Sequence, residues 1–231
     1  MNAVALDQIL HTASVWVVPV LLAITLHEAA HGYVAWMLGD DTAYRQGRVS
    51  LNPFRHIDPF GTVILPAMLL MLRVPFLFGY AKPVPVDFRR LRQPRRDMVA
   101  VAAAGPAANI FIATTSAALF HFEGLLPAGV DDWIMQNLIN SVRINILLAV
   151  FNMMPVPPLD GGRVAVGLLP RQLAMPLARI ERFGILLVLG TFFLLPYIGT
   201  RIEVRIDPFG WLIAGPARFV GEIILTVTGH R

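Results

Sequence analysis

The stretch LLAITLHEAAHGYVAWML, residues 21–38, sets two histidines and a glutamate inside an apolar run. His27 and His31 are four residues apart, so on a helix both imidazoles leave the same face, one turn from each other. Two neutral imidazoles so placed can hold one Zn²⁺ at about 2.0–2.1 Å. Glu28 lies roughly 100° round the helix from His27, within reach of water at such a metal but poorly placed to be a ligand. This is H-E-x-x-H chemistry, in which the carboxylate is the general base. An ionisable side chain at bilayer depth costs about 2.5 kcal/mol or more, so three within five residues require a common partner.

A catalytic zinc site usually has three protein ligands and one open position. The chain has no cysteine, so the third ligand must be His, Asp or Glu. The candidate is Asp160 in FNMMPVPPLDGGR, residues 151–163. Pro155, Pro157 and Pro158 lack backbone N–H groups and end the preceding helix. Gly161 and Gly162 then permit backbone angles closed to other residues. Irregular backbone of this kind in a membrane protein lines a polar cavity or is buried in protein.

A third group is AGPAAN, residues 104–109. Its small residues allow helices to approach closely. Asn109 is an amide within an apolar segment, and Asn145 and Asn152 are seven apart on the next one, hence on a common face. Such amides could polarise a carbonyl or hold a peptide at the site. They can equally bond helix to helix.

These groups must be positioned by membrane helices. Of 231 residues, 56% are hydrophobic and only 15% charged, with mean hydropathy +0.63; a soluble domain carries about a quarter charged residues. Apolar segments occupy 12–38, 60–81, 97–121, 134–157, 183–199 and 209–228, where about 20 residues suffice to cross the hydrocarbon core. Residues 1–10 lack the basic region of a cleavable signal peptide. The arginines cluster beside apolar segments, which fits orientation in a membrane and not nucleic-acid binding.

Residues 82–96 carry Lys82, Arg89, Arg90, Arg92, Arg95 and Arg96 against Asp87, whereas 121–133 carries Glu123, Asp131 and Asp132 with no Lys or Arg. The positive-inside tendency puts 82–96 in the cytosol and the N-terminus and 121–133 outside. Both flanks of 60–81 are then cytosolic, so that segment is expected to be a re-entrant or membrane-edge element, near 60–86, with an ordinary sixth span as the alternative. On this topology His27, His31 and Asp160 arrive at similar depth on the cytosolic side. The expected fold is an all-α polytopic membrane protein with five to six transmembrane helices. GRVSLN, residues 47–52, alternates as an exposed strand edge would, giving a possible short β element near 45–52. DPFG at 58–61 and again at 207–210 reads as Asp capping a helix start.

Together HEAAH (27–31), GPAAN (105–109) and NMMPVPPLDGG (152–162) resemble the site-2 protease family of intramembrane zinc metalloproteases. RVSLNPFRHIDPFGT (48–62) and FGYAKPVPV (78–86) are similar to its compact members without PDZ or CBS domains. The resemblance implies one Zn²⁺ per chain on His27, His31 and Asp160, with Glu28 activating water. It matches Asn109 and Asn152 to amides that assist substrate or the oxyanion. The resemblance covers about 20–165; the composition reads as a single membrane-embedded domain over 1–231, with a catalytic core expected at about 12–165 and accessory helices at about 180–231. The expected partners are the bilayer and a single-span membrane-protein substrate cleaved within its transmembrane segment. The alternative from another class is a membrane transporter of zinc or another divalent metal. Transport requires ligands spaced across the membrane, commonly with internal repeats, whereas these ligands gather near one face and no repeat is visible.

Overall fold

The structure, a computed structural model, describes residues 3–64, 68 and 82–230. Helix α1 (Ala3–Met37) carries the histidines. It stops where Gly39 takes φ +113°, a left-handed conformation that favours glycine. There the Gly39 N–H donates to Trp36 O and the Asp40 N–H to Ala35 O, at 3.2 and 2.9 Å, which satisfies carbonyls the last turn would leave unpaired.

Helix α2 (Pro94–Ala118) begins on a proline, whose missing N–H costs nothing at a first helical position. The Asp97 carboxylate accepts the Gln93 N–H at 2.8 Å and closes that end. Helix α3 (Ala128–Asn152) follows, then the proline-rich turn, then α4 (Asp160–Leu168). Helix α2 is central and packs on α1, α3 and α4. Its alanines and Gly105 let those neighbours come close.

A long helical run α5 (Arg171–Arg201) and a final α6 (Gly210–Val227) complete the chain. Ala113 and Ala117 of α2 bury against Val142 and Ile146 of α3 and Ile224 of α6. Together with Leu10–Met37, Pro94–Phe122 and Ala128–Asn152, they make five helices among the described residues long and apolar enough to span a membrane. Leu22, Phe111, Leu186 and Trp211 lie exposed on them, as side chains facing lipid would. The protein is an all-α polytopic membrane protein.

The fourth apolar segment, 134–157, is helical only to Asn152, and the prolines expected to end that helix follow at 155, 157 and 158. The fifth begins earlier than 183, since the polar residues 171–182 are helical too. No β element forms near 45–52, and no strand occurs among the described residues. Thr42–Arg45 is a helical turn, Gly47 reverses the chain at φ +64°, and 48–52 is irregular. Alternation alone is insufficient there, because no neighbouring strand is present among the described residues to accept the ladder.

Most of the expected re-entrant segment near 60–86 lies outside the described residues. Its described ends are a helical turn, Pro59–Ile64, and the non-helical stretch 82–87. Both DPFG aspartates act as expected: Asp58 accepts the Gly61 N–H at 2.6 Å, and Asp207 the Gly210 N–H at 2.8 Å.

Candidate metal centre

On α1 the helical repeat brings His27 and His31 together with their Nε2 atoms 3.0 Å apart. Asp160, the first residue of α4, places Oδ2 3.2 Å from His27 Nε2 and 3.3 Å from His31 Nε2. His27 and Asp160 are buried, and His31 is half-buried. The glycines after Asp160 let α4 fold back onto the turn. A Cβ at Gly162 would come within 2.6 Å of Pro157 Cα, and one at Gly161 within 2.6 Å of Met154 O. Gly105 of α2 faces the imidazoles so closely that a Cβ there would lie 2.6 Å from His27 Cε1 and Nε2.

The far side of each ring fixes what the near side offers. His31 Nδ1 lies 2.7 Å from Val101 O, a carbonyl that can only accept, so Nδ1 carries the proton. His27 Nδ1 lies 2.6 Å from Asn109 Oδ1, likewise an acceptor. Neutral rings in these tautomers both present bare Nε2 lone pairs to a carboxylate oxygen.

Three electron-rich atoms that face one another need a cation between them. Zinc at about 2.0–2.1 Å from each of three tetrahedral ligands separates those ligands by about 3.3 Å. The observed 3.0, 3.2 and 3.3 Å are close to that spacing. The donor set therefore fits zinc, and the outer hydrogen bonds supply the orientation that metal-ligating imidazoles require.

Glu28 is held separately. Its Oε2 accepts the Val84 N–H at 2.7 Å. Val84 is buried and packs on α1 at Gly32, where a Cβ would lie 3.0 Å from Val84 Cγ1. The buried Arg48 secures this stretch by donating from Nη2 to Lys82 O at 2.6 Å and Pro83 O at 3.4 Å. At its ends the Lys82 N–H donates to His56 O at 2.9 Å and the Asp87 N–H to Asp40 Oδ2 at 2.6 Å. A backbone strap, anchored by Arg48, His56 and Asp40, thus fixes one oxygen of Glu28.

The structure brings His27, His31 and Asp160 together, as the spacing and the broken helix predict. Asn109, matched by resemblance to a substrate amide, is fully buried and donates to Ala23 O at 3.2 Å and Asn145 Oδ1 at 2.7 Å. Both its N–H bonds are spent, and its Oδ1 accepts from His27 Nδ1. Asn152 is half-buried and donates to Leu148 O of its own helix at 3.1 Å. The sequence reading did not single out the Val84 N–H, Val101 O or Arg48. Backbone partners leave no trace in side-chain spacing. Asn145 did leave one, as the second amide sharing a face with Asn152.

Among curated proteins, the chain is 36% identical over 180 residues to one named "Putative zinc metalloprotease YwhC" of Bacillus subtilis (strain 168), covering 76% of this chain and 78% of that protein. It is 28% identical over 168 residues to one named "Putative zinc metalloprotease Rip2" of Mycolicibacterium smegmatis, covering 73% of this chain and 62% of the relative. A protein of the same name from Mycobacterium tuberculosis (strain H37Rv) is 28% identical over 172 residues, 64% of its length. No protein-family model and no solved structure matches the chain. With an H-E-x-x-H helix, a converging aspartate and a relative this similar over most of both lengths, the chain belongs to the site-2 protease family and is a zinc metalloendopeptidase.

Proposed function

We propose that the chain is an intramembrane endopeptidase that cuts transmembrane segments of single-span membrane proteins, the reaction class of regulated intramembrane proteolysis. The observation that carries this is the convergence of His27 Nε2, His31 Nε2 and Asp160 Oδ2 within 3.3 Å, with two of the three donors on a membrane-spanning helix. On this reading His27, His31 and Asp160 hold one zinc per chain, Glu28 is the general base, and residues 1–231 form one membrane-embedded domain. The catalytic core is about 12–165, with accessory helices in about 180–231. The protein sits as a multi-pass protein in the cell membrane, N-terminus outside, with the active site toward the cytosol.

Bound zinc supplies Lewis acidity to the scissile carbonyl and to water. The chain's own residues supply geometry and proton transfer. Val101 and Asn109 keep the protons of His31 and His27 on Nδ1, so both Nε2 atoms remain ligands. The Val84 N–H occupies Glu28 Oε2, leaving Oε1 to accept a proton from the attacking water. The same atom then delivers it to the departing amide nitrogen, which leaves as an amine.

The test uses purified wild type and Glu28→Gln with a single-span model substrate. Both should bind about one zinc, and only the wild type should cleave. General-base loss typically lowers rate about 10²–10⁴-fold. Equal cleavage by the two proteins would remove Glu28 from the mechanism. Metal flux through Glu28→Gln in liposomes, with no cleavage by either protein, would favour the transporter.

A further inference from the structure

We infer that Asn145 is a positioning residue for the metal centre, fixing through Asn109 the tautomer in which His27 presents a bare Nε2. This rests on the reading of His27 as a zinc ligand. Asn145 and Asn109 are both fully buried. Two backbone carbonyls set the direction of the chain of bonds. Ala23 O can only accept, so the Asn109 atom 3.2 Å from it is the NH₂ nitrogen. Ser141 O can only accept, so the Asn145 atom 2.9 Å from it is also the NH₂ nitrogen.

Each amide oxygen therefore points the other way. Asn145 Oδ1 accepts from Asn109 Nδ2 at 2.7 Å, and Asn109 Oδ1 accepts from His27 Nδ1 at 2.6 Å. A directional relay runs from α3 through α2 to the metal-facing ring on α1. Without Asn145 the Asn109 NH₂ group keeps only its longer bond to Ala23 O. A turned Asn109 would present N–H to His27 Nδ1 and move the ring proton to Nε2, where it blocks a metal. Asn145 acts only through Asn109, and its bond to Ser141 O, one turn earlier, orients it from its own helix.

The experiment measures zinc affinity by chelator competition on purified full-length protein, with the absorption spectrum of the Co²⁺-loaded site as a second readout. Asn145→Leu keeps the shape and removes the acceptor; Asn145→Asp, neutral when buried, keeps one donor and one acceptor. Loss of an outer partner typically lowers metal affinity about 10–100-fold, and that loss is expected for Asn145→Leu, with an altered Co²⁺ spectrum. Asn145→Asp should stay within a few-fold of wild type. Because Asn145→Leu could be unstable, Asn145→Ala is measured beside it as the rise in Tm that zinc produces, which should shrink. Wild-type affinity in Asn145→Leu and Asn145→Ala would overturn the relay, and so would equal losses in Asn145→Leu and Asn145→Asp. Zinc binding unchanged in His27→Ala would instead overturn the metal reading itself.

Discussion

At the scale of single residues, the centre depends on removing alternatives as much as on supplying ligands. Gly105 shows this. Any side chain there would meet both imidazoles, so Gly105→Ala must displace a ring or a helix. Forcing a methyl into a packed site costs about 1–3 kcal/mol, so Gly105→Ala should lower Tm and weaken zinc binding together. An unchanged zinc affinity would mean that the rings can move freely. Asp160→Asn keeps the shape but removes the one negative charge that the ligand set offers a Zn²⁺ ion, which two neutral imidazoles do not replace, so zinc content after dialysis should fall well below wild type. Much of this was legible from the sequence. HEAAH fixes the helical spacing of two rings, and the lack of cysteine directs the search to Asp160 behind three prolines. What spacing cannot give is which of two amides on α3 turns inward: Asn145 meets Asn109, while Asn152 bonds its own helix.

At the scale of elements, the strap 82–87 and the end of α1 do the positioning. Arg48 holds two successive carbonyls of the strap, which aims the next N–H, that of Val84, at Glu28. Arg48→Met retains the apolar stem and removes those donors. It should lower kcat by about tenfold or more, the scale of a misplaced catalytic group, and leave bound zinc unchanged. Loss of zinc along with activity would show that Arg48 serves the fold as a whole. Gly39 takes a left-handed conformation beside Arg90 O, so Gly39→Ala should cost about 1–2 kcal/mol, read as a lower Tm with the metal site intact. The helices carrying these parts were readable from apolar length. The strap was not, because its contacts are main-chain bonds to buried polar residues. The strand expected near 45–52 failed for the complementary reason: alternation records which face is apolar, not whether a partner strand exists.

For the whole molecule, five helices among the described residues are long and apolar enough to span a membrane, so orientation decides which compartment the chemistry faces. The chain has no cysteine, so single cysteines report topology directly. A cysteine at Arg92 should react with a membrane-impermeant maleimide only after the inner face is opened, and one at Gly124 should react in intact cells. The reverse pattern would turn the protein over and place the centre toward the outside. The apolar segment runs on to 157, but the helix gives way after Asn152, ahead of the prolines read as its stop, to the turn that delivers Asp160. The central claim is that two imidazoles from α1 and one carboxylate from α4 hold a single zinc ion. Zinc-edge X-ray absorption on the purified protein, with the metal quantified per chain, tests it most directly. The account predicts one zinc, bound by two imidazole nitrogens at about 2.0–2.1 Å and by oxygen, with one imidazole lost in His31→Ala. A spectrum without two imidazoles, or one that His31→Ala leaves unchanged, would contradict it.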